Sequence, residues 1–88
     1  MSDKIYDLLT QDDDINLRDY AFPEEDIAVC ESICMRINYI RHAFRHYVSV
    51  HPDANFGNDD TVRGYYRRLR AIVPPFISGE ILIWKKIL

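Results

Sequence analysis

His42 and His46 stand four apart in a stretch of helical apolar spacing, so both imidazoles could reach one metal ion from a single helix face. The zinc-protease pattern needs a glutamate directly after the first histidine, and Ala43 occupies that place. Arg41 and Arg45 flank the pair and would repel a cation, so the group reads as a basic face and no metal ligand is assigned. Asp12, Asp14 and Asn16 imitate the opening of a calcium loop, but its sixth position is Leu17 instead of glycine and its twelfth is Pro23 instead of glutamate. Asp53, Asn55 and Gly57 fail in the same way at Asn58 and Gly64. Cys30 and Cys34 lack the third cysteine of a cluster-binding set, since position 37 is Ile37, and read as buried, reduced thiols. Nucleophile elbows, phosphate-cradling glycine loops and paired-carboxylate motifs are missing. The expectation is a binding protein with no catalytic residue and no cofactor.

Charge says what such a protein would bind. Net charge is −3 over 88 residues, unevenly spread. Up to Glu31 there are ten acids against Lys4 and Arg18, whereas from Ser32 onward nine bases face four acids. The second half therefore suits an acidic or polyanionic partner, and the overall acidic balance argues against indiscriminate nucleic-acid binding. No apolar run is long enough to span a bilayer, and the first residues resemble no targeting segment, so a cytoplasmic location is the expectation.

The elements that must position these groups follow from caps and apolar spacing. One domain is all that 88 residues can bury. A short helix over residues 3–9, capped by Ser2, carries Ile5, Leu8 and Leu9 on one face. Residues 10–22 lack a sustained period and read as a packed loop with at most one turn. Pro23 and the acids Glu24, Glu25 and Asp26 open a long helix over 23–50, with Ile27, Cys30, Cys34, Ile37, Phe44 and Val48 inward. Proline at 52, with Asn55, Gly57 and Asn58, predicts a loop over 51–60. A third helix over 61–73 turns Val62, Tyr65, Tyr66, Leu69, Ile72 and Val73 inward and stops at Pro74 and Pro75. Residues 79–88 read as a last helix with Lys85 and Lys86 in its final turn. The expected fold class is all-α, a small antiparallel helical domain with one long central helix.

His51, Pro52 and Asp53 lie directly after a helix end bearing Arg41, His42, Arg45 and His46, and before another helix. In this segment the chain resembles the J-domain family of co-chaperones. Ile40-Arg41-His42-Ala43-Phe44 is similar to the family's Ile-Arg-Lys-Ala-Tyr stretch, and residues 51–57 are similar to its His-Pro-Asp loop. Tyr66-Arg67-Arg68-Leu69 with Ile72 and Val73 resembles its third helix, and Tyr6-Asp7-Leu8-Leu9 its first. The connection over residues 10–22 and the second helix are both longer than the family's.

The resemblance implies stimulation of a seventy-kilodalton heat-shock protein ATPase, which would itself hold the ATP chemistry. His51, Pro52 and Asp53 would form the switching contact, and Arg41, His42, Arg45 and His46 would steer an acidic partner surface. Arg63, Arg67 and Arg70 are further candidate anion contacts, and with Tyr65 and Tyr66 they leave nucleic acid open as a secondary partner. The alternative is a helical adaptor, inhibitor or assembly subunit, viral or part of a larger complex, that docks through its long helix. The partner's identity and the oligomeric state are left open by the sequence.

Overall fold

The computed structural model describes residues 3–20 and 22–74. Among the described residues there are three α-helices and no strand. α1 spans Lys4–Thr10, α2 Ile27–Val50 and α3 Asp60–Ile72. Single 3-10 turns sit at Leu17–Asp19 and Glu24–Asp26.

α1 and α3 each start where an aspartate side chain satisfies the first turn. The carboxylate of Asp3, not Ser2, caps α1, accepting from the N–H groups of Ile5 at 3.0 Å and Tyr6 at 3.2 Å. Asp59 caps α3 in the same manner through Thr61 and Val62 at 2.8 and 3.1 Å. The expected start of the long helix at Pro23 is a 3-10 turn over Glu24–Asp26 that passes directly into α2. Ile27, expected inward, is exposed at the first position of α2, outside the core that Cys34 and Ile37 share with α1 and α3. α2 ends as residue 52 requires: His51 lies outside helical geometry at φ −122° and ψ 73° because proline follows it. α3 closes with the Val73 N–H donating to the Leu69 carbonyl at 3.0 Å, just before Pro74. The helix expected over 79–88 lies outside the described residues.

α2 and α3 run antiparallel. Tyr65, early in α3, meets Phe44 and Tyr47, late in α2, with ring centroids 6.1 Å apart in both pairs. Ile72, at the end of α3, lines a groove with Arg36 and Ile40 near the middle of α2. α1 lies across both and contributes Ile5, Leu8 and Leu9 to a core shared with Ile15, Cys34, Ile37 and Leu69. Ile37 and Leu69 are fully enclosed, and burying side chains of this size is worth about 1.5–3 kcal/mol each. Phe56 folds back from the loop onto Tyr6, Phe44 and Tyr66, at centroid distances of 5.4, 6.4 and 6.0 Å. A loop residue therefore ties all three helices together.

The connection between α1 and α2 is packed, as its spaced apolar residues imply. Ile15 is buried, and its backbone is matched by one side chain: Asn38 Oδ1 accepts from the Ile15 N–H and Asn38 Nδ2 donates to the Ile15 carbonyl, both at 2.9 Å. An irregular buried segment needs such partners, because no ladder or helix supplies them. Cys30 and Cys34 are buried and form no disulfide, and burial pushes the Cys30 thiol pKa up, which makes it a poor nucleophile.

Candidate functional site

Residues 51–59 reverse the chain between α2 and α3, and the loop is held by its own polar side chains. Asn55 Oδ1 accepts from the Gly57 N–H at 2.8 Å, and Asn58 Oδ1 accepts from the Asn55 N–H at 2.9 Å. Asn58 Nδ2 donates to the Asp53 carbonyl at 3.0 Å, and the Ala54 N–H donates to the His51 carbonyl at 3.0 Å. Asparagine side chains that copy backbone turn bonds fix such a loop without a core of its own.

Both feet of the loop are also fastened. The Tyr47 hydroxyl, in the last turn of α2, donates to Asp59 Oδ2 at 2.7 Å, which bridges the end of one helix to the cap of the next. That bond holds the Asp59 carboxyl below the usual carboxylate range and pushes the Tyr47 hydroxyl up. Arg63 Nη1 donates to the Phe56 carbonyl at 2.8 Å. On this frame His51, Pro52 and Asp53 are all exposed. The His51 ring rests on Tyr47 at a centroid distance of 4.5 Å, and the Asp53 carboxylate has no hydrogen bond or ion pair among the described residues.

The basic end of α2 is arranged differently from the expectation. Arg41 is a buried residue, only 2% exposed, and takes no part in an exposed steering face. Its Nε donates to the Leu8 carbonyl at 2.7 Å, and its Nη1 donates to Asp14 Oδ1 at 2.8 Å and Asn38 Oδ1 at 3.3 Å. Nη2 donates to the Gln11 carbonyl. The planar guanidinium spreads its donors over four acceptors, three of them on the segment that follows α1 or on α1 itself.

His42 Nε2 lies 2.6 Å from Asp14 Oδ1, and Arg45 Nη2 donates to the carbonyls of Gln11 and Asp12 at 2.8 and 3.1 Å. The bond from His42, reinforced by Arg41, keeps the Asp14 carboxyl below its ordinary range against the opposing effect of burial. The run Asp12-Asp13-Asp14 thus belongs to a clasp over the basic face, not to a cation site. No group of side chains able to hold a metal ion occurs among the described residues.

Of the other expected contacts, His46 is exposed beside this clasp. Arg63 is committed to Asp60 and to the Phe56 carbonyl, so it is no free anion contact. Arg67 and Arg70 are exposed on α3. The structure therefore presents His51, Pro52 and Asp53 together on one loop, while it diverts Arg41, His42 and Arg45 toward the chain's own connection.

Sequence reasoning missed Asn38, whose pairing with Ile15 has no local signature, and the Tyr47–Asp59 bridge. The second had a signal, because an aspartate two residues before Thr61 is a capping pattern at the loop's far foot. No family model matches the chain, and no curated protein or solved structure matches it.

Proposed function

We propose that the chain is a J-domain-like co-chaperone that binds a seventy-kilodalton heat-shock protein ATPase through His51, Pro52 and Asp53 and stimulates it. The observation that carries this reading is the loop itself. Three exposed side chains, one of them a conformationally fixed proline, are presented on a backbone braced at both feet, and none of the three contributes to the core. A rigid exposed contact loses little conformational entropy on binding, which is the property a switching surface needs. Arg45, bonded to the carbonyls of Gln11 and Asp12 yet exposed, keeps its positive charge on the same helix.

A second reading, a helical adaptor without chaperone activity, is favoured by the commitment of Arg41 to the interior. The most buried of the basic groups on α2 serves the fold and leaves less charge for an acidic ATPase surface. Steady-state ATPase assays with candidate heat-shock ATPases separate the two. Under the co-chaperone reading the wild type raises turnover, and His51→Gln and Asp53→Asn abolish that rise with unchanged circular dichroism. Wild-type stimulation that survives both substitutions, or no stimulation at all, leaves the adaptor.

A further inference from the structure

Away from the loop, α2 and α3 leave an open groove of about 450 Å³ between them, lined by Arg36, Tyr39, Ile40, Arg68, Ala71 and Ile72. Its floor is apolar and its rims are cationic. Ile40 and Ile72 are half-buried at the edge of the core, whereas Tyr39 on the rim is 76% exposed and neighbouring Met35 is 73% exposed. Arg36 and Arg68, one from each helix, are exposed and make no hydrogen bond or ion pair among the described residues. This contrasts with Arg41, Arg45 and Arg63, each of which is bonded within the chain.

We propose that this groove is a docking site for an acidic amphipathic segment of a partner protein, which places apolar side chains on Ile40, Ile72 and Tyr39 and carboxylates against Arg36 and Arg68. Charge complementarity selects this occupant. A second copy related by two-fold symmetry would set the same arginine-rimmed patch against itself and meet like charges. The chain's own residues 75–88 carry Glu80 against Lys85 and Lys86, a basic balance that does not complement the rims. Nucleic acid is disfavoured because its binding rests on an extended track of phosphate contacts, whereas here two arginines flank an apolar floor. The mode is helix-in-groove recognition, in which apolar anchors at helical spacing supply affinity and flanking charges supply orientation.

The site shares no residue with the His51–Asp53 loop, so its occupancy stands independently of the co-chaperone reading. The test is fluorescence anisotropy on the full chain with a labelled amphipathic peptide, leucine at helical spacing and glutamate on the flanks, alongside versions with glutamine or lysine in place of glutamate. The glutamate peptide is expected to bind roughly tenfold tighter than the glutamine version, as two exposed ion pairs allow, and to weaken with salt. The double variant R36E/R68E should reverse the preference toward the lysine peptide, and Tyr39→Ser should weaken all three peptides while circular dichroism stays unchanged. Equal binding of the acidic and basic peptides, or a double variant that keeps the wild-type preference, overturns the proposal. It is overturned as well if a single-stranded oligonucleotide displaces the peptide, or if sedimentation shows self-association lost in the double variant. ATPase stimulation by R36E/R68E should equal that of the wild type, which keeps the two proposals separable.

Discussion

Two groups of bases on and beside α2 have opposite fates. Toward its C-terminal end, Arg41, His42 and Arg45 are clasped by the segment Gln11–Asp14, and the guanidinium of Arg41 is buried. Around its middle, Arg36, with Arg68 across the groove, stands in solvent with no partner among the described residues. The difference lies in what passes overhead. The connection from α1 crosses the first group and brings carbonyls and Asp14 with it, whereas no acidic segment among the described residues covers the second. Arginine on a helix is therefore a structural cross-link or a binding group according to the chain that lies beside it, and its own helical position does not decide between them.

Equilibrium unfolding can break that comparison. The largest effect is expected from Arg41→Ala, which strips the Leu8 carbonyl of its guanidinium donor, at roughly 1–3 kcal/mol for a buried acceptor orphaned, and also empties the buried space the side chain fills. Asn38→Ala should follow, because it strips both partners from the backbone of buried Ile15 and should cost about 1–3 kcal/mol. Urea midpoints for the two variants provide the check, and a loss within about 0.5 kcal/mol for Arg41→Ala would return that residue to the surface.

A smaller effect is expected from pH, through Asp14. Its carboxyl is held below the ordinary aspartate value of about 3.9 in the folded chain, so its stabilising contribution is fully present above that value. The contribution is lost as pH falls through the depressed folded value. Asp14→Asn should therefore lower stability near neutrality and converge with the wild type in strong acid. Asp3, Asp59 and Asp60 are depressed too and should keep both proteins acid-labile. Parallel urea curves at all pH values would remove Asp14 from the clasp. The smallest change is expected for Arg36→Ala and Arg68→Ala, each within about 0.5 kcal/mol of the wild type, because nothing in the described fold leans on either side chain. A larger loss would assign them a structural partner and weaken the docking surface.

Much of the helical frame was legible because its signals are local. Pro52 and the asparagines of residues 55–58 announce the loop, Pro74 ends α3, and the spacing of Cys30, Cys34 and Ile37 marks the inward stripe. The same stripe misjudged Ile27, since the first position of α2 lies outside the core that Cys34 and Ile37 share with the other helices. The exposed His51-Pro52-Asp53 loop was legible as a loop, but the braces that hold it depend on Tyr47 meeting Asp59 across the reversal.

The charge run of the basic half was readable residue by residue, and its meaning was not. Alone, the sequence determined the three helices of the described residues and where they stop, because caps, prolines and apolar periodicity act within a few residues of themselves. Only the tertiary structure decided that Arg41 lies inside, that Asp14 serves as its partner, and that Arg36 and Arg68 face each other across an open groove. Those outcomes depend on which backbone crosses which helix face, and side chains 27 positions apart, as Asp14 and Arg41 are, meet only after the chain has folded over.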